Sequence, residues 1–518
     1  MKRNGHTRPE PVFELVKSMS KAEKRNFRLY CSRIAANSDA KFVALFDWLD
    51  SAESYDEKEV LHNCPVTKVQ LPNLKAHLHR QILTSIRMLE VSHDEIIALH
   101  ENMDFVRILF DRGLYQQAGK LLDKVREQAA LLEHHGTELE VVEAENRLDL
   151  VNVARDMTAS SDIALRRVEK LCSRIENQTE LQNTFTRVYS LYLQLGYART
   201  QKDLDLISQY FKPRLSLYAD RVPQMSFLEK FYYYQAAAWL YYIRHNFVMS
   251  YRYSIKWVEL FNGNPRMKSV MYDDYLKGYA QIFEGLFMMR KYRHLSEHLA
   301  RFEQELRTIG KLNTNAMILG LRVLYVNKMN KCFIEGEFGK GLEMVPEIEE
   351  FTARYSGHLG IHQTMFIYYK IALLHFGNGD YVQCMGYLSR ITGTKNPQIR
   401  RDLQCFARIL NLIASYEAGI DHNLDYQIRS VYSFLVKMND MQAVQQEMLG
   451  FLKRLNTIYA DELKGELHRL HGRLKPYENH PYERRTFYYL DLLSWLESKI
   501  TGQTMGEVIR RKFREAID

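Results

Sequence analysis

Apolar residues recur at steps of three and four along most of this chain, which is the spacing that places side chains on one face of an α-helix. No sustained alternation of apolar and polar residues, the pattern of a half-buried strand, competes with it. Glycine (25 of 518 residues) and proline (11) are scarce, which also favours long helices over strands joined by tight turns. The pattern therefore predicts an all-α fold.

Several helix starts are marked by a serine or threonine followed three residues later by glutamate. In such a capping box the hydroxyl accepts a hydrogen bond from a free backbone amide, and the carboxylate accepts one from the amide of the capping residue. The three pairs are Ser20 with Glu23, Ser92 with Glu95, and Thr504 with Glu507. Each pair predicts the beginning of a helix.

A turn pattern recurs between the predicted helices: glycine, any residue, an aromatic, two polar residues, a small residue, and apolar residues four and seven positions later. Clear copies begin at Gly113, Gly336 and Gly379, and weaker copies contain Phe247 and Tyr292. The aromatic residues of the last four copies are 43 to 46 residues apart. A period of about 40 to 46 residues predicts an α-solenoid of stacked antiparallel helix hairpins.

Each position of this pattern has a physical reason. Glycine adopts the left-handed conformation that ends a helix, the aromatic ring fills the gap between two helices, and the small residue lets their backbones approach. The stretch FIEGEFGKGLEMVPEI, residues 333–348, is accordingly interpreted as a corner between helices. A Walker loop needs four residues between its first glycine and its Gly-Lys pair, whereas Gly336 and Gly339 are separated by two.

The chain divides into three predicted regions. These are an N-terminal helical unit at residues 1–95, the repeat array at 96–445, and C-terminal helices at 446–518 that cover the last exposed apolar face. Within the third region, one helix is predicted to run through Phe487, Leu493 and Ile500 and to stop at Thr501-Gly502.

Two kinds of motif carry a family resemblance. The turn pattern resembles the turn and second helix of the tetratricopeptide repeat (TPR), with a longer period and poor first-helix signals. The stretches LVKSMSKAEKRNFRLY (15–30) and YLDLLSWLESKI (489–500) resemble the two ends of an uncharacterised family of bacterial TPR-like proteins. The resemblance implies an all-helical intracellular protein, and it carries over no catalytic or ligand-binding residue.

Composition and charge narrow the class of protein only slightly. The net charge of +8 is small for this length and does not by itself argue for an acidic partner. The six cysteines are scattered without a CxxC pair, which is typical of buried thiols in a reducing compartment. The most apolar run, residues 231–243, is too short to cross a bilayer. We therefore predict a cytoplasmic protein without membrane insertion.

Histidine pairs are the candidates for metal binding. They are His358 with His362, His468 with His471 near Glu466, and His77 with His79. A metal site needs a matched set of ligands at suitable spacings, and no HExxH or Cys/His finger pattern occurs. The three pairs are interpreted as solvated or structural histidines, and no metal is predicted.

Candidates for catalysis are equally weak. Cys332 and Cys384 occupy apolar helical positions, which favours packing over reactivity. The acidic pairs Asp273-Asp274 and Glu349-Glu350 consist of adjacent residues, which point apart on a helix and make poor acid/base dyads. We therefore predict no enzymatic activity and no cofactor, and the sequence leaves the ligand-binding residues unknown.

An aromatic segment at residues 231–261 has the most unusual composition in the chain. It contains Trp239, Tyr241, Tyr242, Phe247, Tyr251, Tyr253 and Trp257. These side chains would suit either a peptide-binding groove or a bulky interior between repeats. Because stripes at helical spacing are usually core, the interior is favoured.

Basic residues accumulate in the N-terminal unit. They are Lys17, Lys21, Lys24, Arg25, Arg28, Arg33, Lys68, Lys75, Arg80 and Arg87. A helix-turn-helix that reads DNA would look roughly like this, although acidic residues are interleaved and no base-reading set is evident. The leading hypothesis is therefore a non-enzymatic scaffold or adaptor that holds a peptide or partner protein on the inner surface of the repeat array. A transcriptional regulator with a DNA-binding N-terminal unit and a helical sensor region is the alternative.

Overall fold

The computed structural model describes most of the chain. The described residues are 10–34, 40–151, 157–198, 200–310, 312–394, 400–420, 424–438, 441–455, 458–459, 461–480 and 482–517. Within these ranges the regular structure is helical and no strand occurs, which confirms the predicted all-α fold. The chain divides into two compact units, residues 1–171 and 172–518. The boundaries predicted near residues 95 and 445 stay predictions.

The first unit contains eight described helices and the beginning of a ninth. They are α1 Pro11–Ser18, α2 Lys21–Ile34, α3 Ala40–Ser51, α4 Glu57–Asn63, α5 Leu71–Glu90, α6 Glu95–Asp111, α7 Tyr115–Leu131, α8 His135–Val151 and α9 Met157–Leu195, which carries the boundary between the units. Helices α1, α2 and α3 pack against α5 around a core that contains the fully buried Val16, Phe27, Phe46 and Leu78. Helix α7 packs between α6 and α8.

The second unit contains the remaining helices, together with short 3₁₀ turns at Val222–Gln224 and Lys475–Asn479. The α-helices are α10 Gln201–Ala219, α11 Phe227–Ile243, α12 Phe247–Asn262, α13 Pro265–Val270, α14 Tyr272–Met288, α15 Tyr292–Thr308, α16 Thr314–Glu335, α17 Phe338–Glu343, α18 Val345–Arg354, α19 Ile361–Asn378, α20 Tyr381–Thr392, α21 Arg401–Glu417, α22 Leu424–Lys437, α23 Ala443–Arg454, α24 Leu463–Leu474, α25 Arg485–Tyr489, α26 Leu492–Thr501 and α27 Met505–Ile517.

Helices of the second unit pack largely in chain order. From α11 to α18 and from α19 to α21, neighbours in sequence are in contact, and the longer helices α12, α14, α16, α19 and α21 also form an interleaved series of contacts. The C-terminal helices then return to this series, because α25 packs on α21 while α27 packs on α16 and α19. Long-range packing of this kind buries both faces of α19, on which nine residues from Met365 to Gly377 are buried.

Five joints that lead into a helix beginning with Tyr or Phe share one backbone conformation, which also occurs at Glu133 before α8. In each, a residue with positive φ lies two positions before the first residue of the next helix, at Gly113, His245, Arg290, Gly336 and Gly379. In each, the amide after that residue donates to the carbonyl five positions earlier, as in Asp380 to His375 at 2.8 Å and Lys291 to Leu286 at 2.9 Å. This is the Schellman arrangement, in which the left-handed residue lets the chain satisfy the last helical carbonyls.

The helical segment after each joint, which after Gly336 comprises α17 and α18, buries the same three positions. Counted from the aromatic residue that begins it, these positions are three, seven and ten residues later. They are Ala118, Leu122 and Val125; Ser250, Ser254 and Trp257; Leu295, Leu299 and Phe302; Gly341, Val345 and Ile348; and Cys384, Leu388 and Ile391. The aromatic residues differ more, since Phe247 and Phe338 are buried whereas Tyr115, Tyr292 and Tyr381 are half-buried. The predicted corner at residues 333–348 is confirmed.

One of the three predicted capping boxes is wrong. Ser92 does not cap α6: its hydroxyl donates to the Leu89 carbonyl, and Asp94, directly before the helix, accepts from the amides of Ile96 and Ile97. An aspartate at the N-cap position thus displaces the predicted serine. The capping boxes at Ser20 and Thr504 are confirmed by their reciprocal bonds.

The predicted single helix near the C-terminus is two helices, α25 and α26. They are separated at Leu490, which is extended, and Asp491 accepts from the Ser494 amide at 3.1 Å and so starts α26. Helix α26 ends at Thr501, and Gly502 has φ +71°, as the sequence predicts. In the described part of the chain, no helix combines the length and apolar character that a membrane crossing requires.

Candidate functional site

The predicted histidine pairs lie apart or have other partners. His358 is exposed in the turn after α18, whereas His362 is half-buried on α19. Burial lowers the pKa of His362 to about 4, and the charges of Arg400 and Arg322 act in the same direction. His468 is exposed on α24, while His471 Nε2 lies 3.3 Å from a Glu497 oxygen.

The remaining metal candidates have structural roles. Glu466 pairs with Arg469, and the His77 ring packs edge-on against Phe42 with the ring centres 5.2 Å apart. Among the described residues, no group of three or more His, Cys, Asp or Glu side chains is arranged to hold a metal ion.

The candidate nucleophiles and acid pairs also have structural roles. Cys384 and Cys332 are buried, and burial raises the pKa of both thiols, that of Cys332 to about 11. Asp274 accepts from Lys277 at 2.8 Å, and its neighbour Asp273 accepts from Asn315 instead. Glu349 accepts from Tyr387 and Arg390, whereas Glu350 pairs with Arg354. The structure therefore does not bring either acidic pair together as a dyad.

The aromatic segment of residues 231–261 belongs mainly to the interior. Tyr242, Phe247 and Trp257 are buried, and Trp239 packs half-buried between Tyr189 and Tyr192. The rings of Tyr241 and Tyr253, which are half-buried, stack with their centres 5.6 Å apart. Packing between helices, which the sequence favoured, accounts for most of these side chains.

Half of the N-terminal basic residues are occupied by ion pairs or hydrogen bonds. Asp50 lies 2.7 Å from both Lys24 and Arg28. Lys75 pairs with Glu10 at 3.0 Å, and Lys17 donates to the Asp50 carbonyl. Arg87 lies 3.6 Å from Asp104. The exposed remainder, Lys21, Arg25, Arg33, Lys68 and Arg80, is distributed over three elements.

A cavity of about 810 Å³ in the second unit is the strongest candidate site. Its walls come from the α14–α15 joint, α16, α17, α19, residues 478–479, 484 and 487–491, and α27. The deep part is apolar and includes the buried Phe338, Phe376 and Leu490. We call these buried residues, with Lys370, the floor of the cavity.

The mouth of the cavity is cationic. Lys291, Arg293 and His294 are exposed on its edge, and we call these three residues the rim. In the described part of the chain, Lys291 and Arg293 have no ion-pair partner. The rim coincides with the start of α15, whose first turn has no side-chain cap and whose N-terminal amides add positive potential.

Other charges of the lining are largely balanced. Lys512 lies 2.7 Å from Glu497, and Glu478 lies 2.7 Å from Lys475. Asp491 lies 3.9 Å from Arg290 and also caps α26. Because these groups neutralise one another, the positive potential at the mouth comes from the rim and from Arg484, which donates to the His245 carbonyl at 2.8 Å.

Lys370 is the buried charge of the floor. Its side chain is 5 % exposed, and Nζ donates to Asn330 Oδ1 at 2.8 Å. Phenyl rings surround the amine, with ring centres 4.5 Å (Phe287), 5.2 Å (Phe333) and 5.2 Å (Phe366) from Nζ. Burial lowers the pKa of Lys370 to about 8, and the field of Glu284 opposes this shift.

A buried ion pair fixes the wall formed by α25. Arg400 Nη2 donates to Asp402 Oδ2 at 2.8 Å, and the Tyr489 hydroxyl donates to the same carboxylate. The Tyr489 carbonyl in turn accepts from Tyr369 at 3.2 Å. Although burial would raise the pKa of Asp402, the Arg400 charge and the hydrogen bonds from Arg400 and Tyr489 hold it at about 2. These contacts place Tyr489 in the cavity wall.

Comparison of the chain with protein-family models, with curated proteins and with solved structures gave no significant match. The resemblance to a TPR-like family consequently stays a prediction, and the site has to be interpreted from its own geometry.

Sequence reasoning missed this cavity because its walls are far apart in the chain, between residues 287 and 513. One local signal was present. Lys370 is the only charged residue in the run MFIYYKIALLHF, residues 365–376, if the histidine is neutral. A lone lysine in an apolar helical run is rarely fully buried without a specific partner, so it marks a special environment.

Proposed function

We propose that this protein is a non-enzymatic scaffold or adaptor, that helices α11 to α21 form a TPR-like α-solenoid, and that an acidic segment of a partner protein binds at the cavity. The solenoid is supported by the joints at Phe247, Tyr292, Phe338 and Tyr381, which share a backbone conformation and the same buried positions. It is also supported by the contacts between neighbouring helices in chain order.

The observation that carries the binding function is the set of buried apolar side chains in the floor, beneath the unpaired rim cations. A cavity of about 810 Å³ is within the usual range for ligand sites, and buried aromatic side chains can receive an apolar anchor. Lys291 and Arg293 would attract carboxylates around that anchor and speed the encounter. The matching ligand is a segment with an aromatic or aliphatic residue flanked by Asp or Glu.

The DNA-binding alternative has weaker support. Phosphate contacts require accessible cations, whereas Lys24, Arg28 and Lys75 are engaged by acidic side chains within the N-terminal unit. A protein ligand at the cavity is therefore the better proposal. Binding of duplex DNA with a steep salt dependence, at affinities above those for any acidic peptide, would reverse this order.

The test is a selection of phage-displayed random peptides on the full chain, followed by fluorescence anisotropy with the enriched peptides. We expect the enriched peptides to be acidic around an apolar residue. The double variant Lys291→Glu/Arg293→Glu should weaken their binding about tenfold or more, since it reverses both rim charges. A control with the same charge change, Lys202→Glu/Lys212→Glu on exposed positions of α10, should bind like the wild type. Equal binding by the rim variant would refute the cavity as the site.

A further inference from the structure

The Lys370 amine lies in the floor of the cavity. Its surroundings stabilise a positive charge on the amine only weakly. Its single hydrogen-bond acceptor is the neutral amide oxygen of Asn330, and in the described part of the chain no carboxylate lies within ion-pair distance. Asn330 is itself held by Asn327, whose amide donates to the Val323 carbonyl at 2.8 Å. Hydrogen bonds within α16 therefore hold the acceptor in place.

We propose that the Lys370 amine binds small aldehydes or ketones that carry an anionic group, through a reversible imine. The cavity provides the space, because Phe287 and Phe333 face both the amine and the open volume. The rim cations provide the partner for the anionic group. This proposal concerns a small molecule in the same cavity, and it does not require the partner protein proposed above.

The electrostatic environment favours the chemistry. Imine formation requires the neutral amine, and a lysine in water is almost entirely protonated at neutral pH. Since burial lowers the pKa of Lys370 to about 8, about a quarter of its amines are neutral at pH 7.5. Desolvation of this kind is the usual means by which proteins make a lysine nucleophilic.

The reaction balances without an oxidant or reductant. The nitrogen lone pair attacks the carbonyl carbon, and the oxygen becomes a hydroxyl as the amine loses a proton. The hydroxyl then leaves as water while the nitrogen loses its second proton and the C=N bond forms. One amine and one carbonyl compound therefore give one imine and one water, and hydrolysis reverses the step. The result is reversible covalent binding rather than turnover.

The experiment compares the lysines of one folded protein. The full chain is incubated at pH 7.5 with 4-carboxybenzaldehyde and cyanoborohydride, which fixes each imine as a secondary amine, and labelling is read by peptide mass spectrometry. Lys340 and Lys277, whose side chains are 69 % and 51 % exposed, are internal references. We expect Lys370 to be labelled about tenfold faster or more, since its larger neutral fraction outweighs its lower basicity.

Labelling of Lys370 at or below the rate of the exposed references in the native protein would overturn the proposal. The role of the anionic group is tested separately, by comparison with benzaldehyde, which lacks the carboxylate. The preference of Lys370 for 4-carboxybenzaldehyde over benzaldehyde should fall several-fold in Lys291→Glu/Arg293→Glu. An unchanged preference would overturn the role of the rim cations. No peptide is present in these reactions, so their failure is distinguishable from failure of the proposed partner binding.

Discussion

Gly377 lies so close to Phe338 that a Cβ atom on Gly377 would be 2.3 Å from Cε1 of the ring. The two residues belong to α19 and α17, which cross at this point, and Phe338 reaches the floor of the cavity beyond the crossing. The missing side chain at residue 377 is thus what allows the repeated aromatic position to be filled by a buried ring.

A methyl group at residue 377 should therefore disturb the packing. We expect Gly377→Ala to lower the free energy of unfolding by about 1–3 kcal/mol, the usual effect of overpacking a core. Gly386→Ala is the matched control on α20, because a Cβ there meets nothing within 4 Å and the residue is exposed. The control should be neutral or slightly stabilising, because alanine has the higher helix propensity. Urea denaturation of both variants measures the difference, and equal effects would contradict the crossing geometry.

The contribution of the aromatic position to the free energy of unfolding should differ between copies of the repeat. Phe338 is 5 % exposed, so Phe338→Ala should destabilise the protein by about 3–5 kcal/mol. Tyr381 is half-buried, so Tyr381→Ala removes less apolar area from the core and should cost about 1–2 kcal/mol. Chemical denaturation of the two variants gives the comparison. A Tyr381 variant as unstable as the Phe338 variant would show that burial does not determine this difference.

The Arg400–Asp402 pair should control stability at acidic pH. The pKa of Asp402 is about 2 in the folded protein and about 3.9 in an unfolded chain, so its contribution is complete above about pH 4 and is lost as the pH falls towards 2. Asp402→Asn should destabilise the protein at pH 7 by about 3–5 kcal/mol, because Arg400 is left buried without its partner. The exposed Asp425→Asn on α22 is the control.

The comparison of the two variants requires denaturation curves at several pH values. We expect the wild type and Asp425→Asn to lose stability between about pH 4 and pH 2, and Asp402→Asn to lose less over that range. Parallel curves for all three proteins would contradict the low pKa of Asp402.

His362 should affect the stability of the protein in a different pH range. Its folded pKa of about 4 lies below the unfolded value of about 6.5, so the unfolded chain binds the proton more readily. Stability should therefore fall, by on the order of 2 kcal/mol, as the pH decreases from about 6.5 to 4. His362→Gln should flatten this part of the curve, whereas His468→Gln at an exposed position of α24 should leave it unchanged. A wild-type curve that is already flat from pH 6.5 to 4 would contradict the shift.

The helices and their buried positions were largely predictable from the sequence, since local periodicity and turn residues determine them. The joints at Gly336 and Gly379 carry the glycine that the left-handed conformation favours. The joints at His245 and Arg290 have the same positive φ without glycine, and their copies of the repeat therefore looked weak. At these positions tertiary packing outweighs the local preference, as for His245, whose ring packs against Tyr197 with its Nε2 2.9 Å from the Ala198 carbonyl.

The cavity was not predictable from local patterns. It depends on the return of α27 to α16 and α19, and an amphipathic C-terminal helix indicates a buried face without indicating which helices cover it. The same applies to Tyr489, whose hydroxyl meets a carboxylate 87 residues earlier in the chain. Contacts over such separations leave no periodic signal.

The crossing of α27 with the α16–α17 joint has a consequence for biosynthesis. At this crossing a Cβ atom on Gly336 would lie only 2.7 Å from the Gly506 carbonyl oxygen. Arg510 donates to the Gly336 carbonyl at 2.9 Å. Residues 505–517 emerge from the ribosome well after the helices that they cover. During translation those helices must keep an apolar surface open until α27 has emerged, so a nascent chain stalled before residue 505 should be a preferred client of chaperones.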